Sequence, residues 1–255
     1  MTYEDLVELA RTDEAILGLV LTGSRATGLG VTDHSDWDVR LIVRDEDCEE
    51  YRSRLCTPHG SKVEVVVLSE TELELAGELG TSSFWDRYSW VHAQVVVDRD
   101  AVAEVVARKR ALPADEARTL AAPALDDYVN WMFRSLKNDA AGIVEGARLD
   151  AAESVSSFLD FLFAAHDRVR PFNKQLRWEL ETNPLAEGTW SADSLLPRLV
   201  AIVDTASVGE QRRLFCDVEV LARGYGLGGV IDGWEPDVAW LRGSQEGQGS
   251  DTLRT

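Results

Sequence analysis

Two aspartates and a glycine-serine pair are the residues whose types and spacing indicate chemistry. The segment 21–43 runs LTGSRATGLGVTDHSDWDVRLIV, in which eleven residues separate Ser24 from Asp36. Asp36 and Asp38 stand two positions apart at the start of an apolar, alternating stretch, so in a strand their carboxylates project to one face. Two carboxylates that close repel each other unless a cation neutralises them. Because hard oxygen ligands favour Mg²⁺ or Mn²⁺, the pair predicts a divalent metal site.

A third carboxylate is needed to hold metal, and Glu64 is the best candidate. It lies within KVEVVVL (62–68), where an unpaired charge among valines would be costly. A metal centre would supply its partner.

The residues around Gly23 are of the types that bind phosphate. A glycine lets the backbone approach a ligand closely, and the N–H groups and the Ser24 hydroxyl are donors. Arg25 is placed to add charge-assisted hydrogen bonds. Since Mg²⁺ usually keeps coordination positions for phosphate oxygens, turn and carboxylates together predict a site for metal-bound phosphate.

Short strands and connecting helices position these residues in the first half. The continuous apolar run before Gly23 is typical of a strand buried on both faces, and the later runs are alternating or β-branched. The predicted strands cover 15–22, 37–43, 62–68 and 94–98, and the predicted helices cover 3–13 and stretches near 46–55, 70–79 and 100–110.

The strand pattern stops after Pro113. Three sets of apolar residues then follow the spacing of one helix face, which predicts a domain of several helices. The sets are Val129, Met132, Phe133 and Leu136; Val155, Phe158, Leu159 and Leu162; and Phe215, Val218, Ala222 and Tyr225. We therefore predict three regions, which are a catalytic domain at 1–110, a helical substrate-binding domain at 111–241 and a polar, disordered tail at 242–255.

The composition limits the partners. The chain has 45 Asp and Glu against 26 Lys and Arg, a formal net charge of −19. Such an excess of acid disfavours nucleic acid, whose phosphates require Lys and Arg, and suits neutral or cationic partners. The acidic start, the lack of a long apolar run and three widely spaced cysteines predict a cytoplasmic protein with neither membrane span nor disulfide framework.

The order Gly-Ser, eleven residues, Asp-Trp-Asp-Val resembles the signature of the DNA polymerase β-like nucleotidyltransferase superfamily. The strings GSRATG and HSDWDV are most similar to its minimal and antibiotic-modifying branches. The stretches 62–69 and 91–98 look similar to those that follow the active site in kanamycin nucleotidyltransferase-like enzymes. The resemblance is strong over 21–43, moderate over 60–98 and weak beyond residue 110.

The resemblance implies a fold, a reaction and site residues. The fold is α+β, with a nucleotidyltransferase domain of mixed sheet and flanking helices followed by a helical bundle. Asp36 and Asp38 are the implied metal ligands, Glu64 is the third acidic position, and Gly23 and Ser24 bind the triphosphate. The implied reaction uses two Mg²⁺ (or Mn²⁺) ions to move an NMP, with AMP favoured, from an NTP to an acceptor hydroxyl, releasing pyrophosphate.

The helical half carries further candidates. Superfamily members often close a helical bundle over nucleotide and acceptor, so we expect Lys137, Lys174 or both to touch the triphosphate. Glu153 is a candidate general base or amine-binding group, because kanamycin-type enzymes use a glutamate of the helical domain as base. Its rivals are Asp126, Asp127 and Asp139. Those enzymes also build their sites between subunits, which makes a homodimer an expectation here.

Three functions remain open from the sequence. The charge of −19 favours a small, cationic acceptor of aminoglycoside type, which implies antibiotic resistance. The alternatives are a nucleotidyltransferase that modifies protein or RNA as a toxin or regulator, and a non-catalytic nucleotide-binding protein. The presence of Gly23, Ser24 and both aspartates disfavours the last of these.

Overall fold

The computed structural model describes residues 1–185 and 188–243 of the chain. The chain divides into two compact units between Leu112 and Pro113. The first unit contains a four-stranded mixed sheet with flanking helices, and the described part of the second is helical. The predicted α+β class is confirmed.

The first unit alternates helices and strands. In chain order its elements are α1 (Tyr3–Thr12), β1 (Ile16–Thr22), α2 (Gly23–Thr27), β2 (Trp37–Val43), a 3-10 turn (Asp45–Asp47), α3 (Cys48–Leu55), β3 (Val63–Ser69), α4 (Glu70–Leu75), a second 3-10 turn (Phe84–Asp86), α5 (Tyr88–Val91), β4 (Gln94–Asp98) and α6 (Val102–Lys109). The strand order is β3-β2-β1-β4, in which β2 and β3 are parallel and the other pairs are antiparallel. All four predicted strands are present, with ends shifted by at most one residue.

Strand β1 lies inside the sheet and is buried along its whole length, as its continuous apolar run predicts. Leu19 and Leu21 pack into a core on one side of the sheet, together with Val39 of β2. Val20 and Ile42 pack into a second core on the other side, against α6. Because both faces are covered, strands β1 and β2 form a fixed platform for the residues at their ends.

A contact between α3 and the end of α1 gives a pH-dependent prediction. The Tyr51 hydroxyl donates to the Asp13 carboxylate, and this hydrogen bond lowers the pKa of Asp13. Burial, followed by that hydrogen bond, raises the pKa of Tyr51 to about 12. Tyr51→Phe is expected to lower the free energy of unfolding by about 1 kcal/mol at pH 7, as measured by urea unfolding.

The sign of the effect follows from the two pKa shifts. The lowered pKa of Asp13 stabilises the folded state above the unfolded pKa near 4, and that contribution is lost as pH falls through the folded pKa. The raised pKa of Tyr51 stabilises below pH 10, and its contribution is lost as pH rises from 10 to about 12. A difference between wild type and Tyr51→Phe that does not change between pH 7 and pH 3 would contradict the assignment.

The second unit consists of helices over the residues that the structure describes. They are α7 (Ala114–Ala140), α8 (Val144–Ala164), α9 (Leu176–Thr182), α10 (Ala192–Thr205), α11 (Val208–Gly224), α12 (Gly228–Asp232) and α13 (Asp237–Leu241). The predicted helix faces lie on α7, α8 and α11, apart from Tyr225, which directly follows α11, and most of their residues are buried. Phe133, Val155 and Tyr225 are half-buried.

The predicted tail at 242–255 falls mostly on residues 244–255, which lie outside the described residues. Within the described part of the chain, we find no helix whose length and apolar character would let it span a bilayer.

Candidate active site

Three carboxylates converge where β1 ends and β2 and β3 begin. Register places Thr22 opposite Asp38 in the antiparallel β1–β2 pair, and Asp38 opposite Glu64 in the parallel β2–β3 pair. Residues directly opposite in a sheet project to the same face, so Asp38 and Glu64 are neighbours. Asp36 immediately precedes β2 and joins them. One carboxylate oxygen from each of the three acids lies within 4.8 Å of the others, and all three residues are half-buried.

The donor set suits a hard divalent cation. All three ligands are carboxylate oxygens, which Mg²⁺ and Mn²⁺ prefer. Opposite ligands of one Mg²⁺ are separated by about 4.2 Å, twice the metal–oxygen distance, so a cluster 4.8 Å wide needs only small side-chain shifts to close on an ion. Three half-buried negative charges at this spacing also repel each other without a cation. The three carboxylates therefore fit the divalent cation, Mg²⁺ or Mn²⁺, that the sequence predicts.

The Glu64 carboxylate is held by the turn that precedes β3. Its Oε2 lies 2.8 Å from His59 Nδ1 and accepts a 3.1 Å hydrogen bond from the Gly60 backbone N–H. Burial would raise the pKa of Glu64, but the hydrogen bonds from His59 and Gly60, together with the charges of His59 and Arg40, lower that pKa. Glu64 is therefore ionised, and its carboxylate is held in one orientation by His59 and the Gly60 N–H. His59 is a further residue at the site, and its signal in the sequence is the Pro58-His59-Gly60 turn shortly before β3.

Gly23 lies against the Asp38 carboxylate. Its φ is +68°, and a Cβ at this position would stand 1.9 Å from Asp38 Oδ2. The neighbouring Thr22 is buried, and its hydroxyl donates to the Asp38 carbonyl oxygen at 3.2 Å. The turn from β1 into α2 therefore passes the carboxylate at a distance that only glycine permits.

Ser24 and Arg25 follow in α2, and both are half-buried. Gln94 of β4 donates to the Ala26 carbonyl at 2.6 Å and so ties α2 to the sheet. The Arg25 guanidinium donates to the carbonyl oxygens of Ser35 and Asp36. The phosphate-binding role of Gly23, Ser24 and Arg25 stays a prediction.

Arg40 is a further charged residue on the same face of β2 as Asp38, and no local pattern in the sequence marks it as part of the site. Its guanidinium forms an ion pair with Asp86 at 3.3 Å, in the second 3-10 turn. Burial raises the pKa of Asp86, while the charge of Arg40 opposes that rise. Arg40 also helps to lower the pKa of Glu64. The guanidinium therefore partly balances the acidic cluster.

The predicted residues of the second unit are distributed over α7, α8 and the turn before α9. Lys137, Asp139 and Asp127 are exposed on α7, and Glu153 is exposed on α8. Lys174 is exposed in the turn before α9. The Lys137 ammonium lies 5.4 Å from the centre of the Phe133 ring. Asp126, one of the rivals of Glu153, accepts a hydrogen bond from Trp234. The roles predicted for these residues stay predictions.

Comparisons with known proteins show a distant structural similarity. No protein-family model matches the sequence, and no curated protein is detectably similar to it. The chain is similar to the solved structure of a nucleotidyltransferase-like protein from Exiguobacterium sibiricum 255-15. The two are 12% identical, the match covers 92% of this chain and 73% of that chain, and the TM-score is 0.44. At this distance the similarity assigns no activity, substrate or site residue to this chain.

Proposed function

We propose that this protein is a metal-dependent nucleotidyltransferase that transfers an NMP, preferably AMP, from an NTP to an acceptor hydroxyl. One observation carries the proposal: Asp36, Asp38 and Glu64 come within 4.8 Å of one another beside a glycine turn that touches Asp38. This juxtaposition agrees with the order of residues on which the sequence resemblance rests.

Each residue has a definite task in this reaction. Asp36, Asp38 and Glu64 hold divalent cations, and the turn at Gly23-Ser24 offers N–H and hydroxyl donors to the triphosphate. The acceptor hydroxyl releases its proton to solvent, its oxygen forms a bond to the α-phosphorus, the bond from that phosphorus to the bridging oxygen breaks, and pyrophosphate leaves. Mg²⁺ or Mn²⁺, when bound, neutralises phosphate charge and makes the acceptor hydroxyl more acidic. The carboxylates contribute by fixing positions before the reaction begins.

The acceptor that we propose is a small, cationic molecule of aminoglycoside type. The net charge of −19 supports this choice, because an acidic surface attracts amines and repels nucleic acid. Transfer to such a drug would give antibiotic resistance, and the enzyme would act in the cytoplasm, where NTP is available.

Pyrophosphate release tests the function directly. Purified protein is incubated with ATP, GTP, CTP or UTP and Mg²⁺, with an aminoglycoside and lincosamide panel or with no added acceptor. We expect release that requires both a drug and metal, stops with EDTA and returns with Mg²⁺ or Mn²⁺.

Radiolabelled nucleotide distinguishes the other outcomes. Label on the drug supports the proposal. Label on protein or RNA would instead indicate a nucleotidyltransferase of the toxin or regulator class. Mg-ATP binding by calorimetry without any transfer would identify a non-catalytic nucleotide-binding protein and contradict the proposal.

A further inference from the structure

Arg25 contacts the backbone that leads into the two aspartates. Its Nε donates to the Asp36 carbonyl at 2.9 Å, and one terminal nitrogen donates to the Ser35 carbonyl at 2.8 Å. A guanidinium presents its donors in a fixed fork. The two carbonyl oxygens belong to the peptide groups on either side of the Asp36 Cα, so these hydrogen bonds fix the backbone at Asp36. The backbone at Asp36 in turn determines the direction in which the Asp36 side chain leaves the chain.

Lys62 contacts the same loop, and it follows the loop in the sequence whereas Arg25 precedes it. Its ammonium donates to the carbonyl oxygens of Asp33 and Ser35, the second at 3.0 Å. The Ser35 carbonyl therefore accepts from both cations. Lys62 directly precedes β3, the strand that carries Glu64, and its own carbonyl accepts a 3.0 Å hydrogen bond from the Trp37 N–H. Loop and third carboxylate are thus linked through one residue.

The ring of Trp37 stacks against Arg25 as well. The guanidinium carbon lies 4.2 Å from the ring centre, and the Tyr3 ring stacks on Trp37 at 3.8 Å with 8° between the planes. Trp37 lies between Asp36 and Asp38 in the sequence. The cation is therefore fixed both by carbonyl acceptors and by an aromatic face, which leaves it little freedom to swing toward a ligand.

We propose that Arg25 and Lys62 are positioning residues, which clamp loop 33–36 so that Asp36 and Asp38 converge with Glu64 on metal. This inference rests on the proposed metal site, and it gives Arg25 a task other than the phosphate contact that the sequence predicts. It assigns both cations to the geometry of the carboxylates rather than to the charge of the nucleotide.

Metal affinity measured without nucleotide separates a phosphate-binding role of Arg25 from a positioning role, because the two roles predict opposite changes in affinity when Arg25 is removed. If Arg25 acts only through its charge, its removal leaves Mn²⁺ binding unchanged or makes it tighter, since a repelling cation is gone. If Arg25 positions the aspartates, its removal weakens binding, as loss of residues that orient ligands typically costs 10-fold to 100-fold in affinity. Arg25→Lys keeps the charge and loses the fork, so it isolates geometry.

The experiment measures Mn²⁺ binding by the loss of the free-ion signal in electron paramagnetic resonance. We expect dissociation constants about 10-fold higher for Arg25→Gln and Arg25→Lys and several-fold higher for Lys62→Met. Arg44→Gln, which removes an exposed cation at the other end of β2, is the matched control and should bind as wild type. Thermal unfolding checks that each variant folds. Because Lys62 is exposed, Lys62→Met is expected to fold as wild type even if the Arg25 variants lose stability.

The outcomes are distinct. Wild-type or tighter Mn²⁺ affinity in Arg25→Lys and Lys62→Met, with only the KM for nucleotide raised in Arg25→Gln, would overturn the clamp and restore the phosphate role. That result would leave the proposed function intact. Absence of Mn²⁺ binding by the wild-type protein would overturn the metal site itself.

Discussion

Asp38→Asn is expected to lower the rate of nucleotidyl transfer by on the order of 10³-fold or more while the protein stays folded. Asp38 is central in the cluster, since it faces Glu64 across the β2–β3 pair and touches the Gly23 turn. An amide of the same shape keeps the packing but removes the negative charge that holds a cation. Pyrophosphate release under saturating NTP and acceptor measures the effect.

A stability measurement adds a second readout for this variant. Divalent cation should raise the melting temperature of the wild-type protein, because a ligand that binds only the folded state stabilises it. The rise should be much smaller in Asp38→Asn. Without metal the difference in melting temperature between the two proteins should be smaller than with metal, because only the wild type gains from binding the cation.

Asp100→Asn is the matched control for Asp38→Asn. It makes the same chemical change in the same unit, at an exposed residue whose φ of 49° an asparagine accepts. Full activity in this control and less than 10-fold loss in Asp38→Asn would show that Asp38 does not hold catalytic metal.

Local patterns sufficed to predict the strands that carry the site. The apolar run of β1 and the alternation of β2 each reflect burial of the strand itself, so a window of a few residues contains the signal. Glu64 lies close to the two aspartates, and the local signal for it is that a charge among valines requires a partner wherever the strand lies. Its role as a metal ligand stays a prediction. Its place opposite Asp38, in contrast, depends on a parallel register that non-local hydrogen bonds set.

Side-chain partners were the part that the sequence could not supply. The sequence predicts that Arg25 contacts phosphate, because an arginine beside a glycine turn is chemically suited to that role. The structure directs its donors to carbonyls ten and eleven residues onward, and that choice depends on how the loop folds back. An exposed lysine such as Lys137 shows the same limit, since no local pattern distinguishes a ligand from a solvated side chain.

Gly23→Ala is expected to lower transfer activity by at least about 100-fold, since displacement of a reacting group by about 1 Å can cost that much. The new methyl carbon would stand 1.9 Å from Asp38 Oδ2, well inside contact distance, so the carboxylate must be displaced from its place in the cluster. The positive φ of +68° adds about 1–2 kcal/mol of strain. Activity, Mn²⁺ affinity and urea unfolding are measured together.

Gly28→Ala separates strain from the contact with Asp38. Gly28 has nearly the same φ, +72°, at the end of the same short helix, but a Cβ there meets nothing within 4 Å. Both variants should therefore lose similar stability from the backbone, and only Gly23→Ala should also lose Mn²⁺ affinity and activity. Equal losses of activity in the two variants would mean that backbone strain, rather than the approach of the turn to Asp38, explains why glycine stands at position 23.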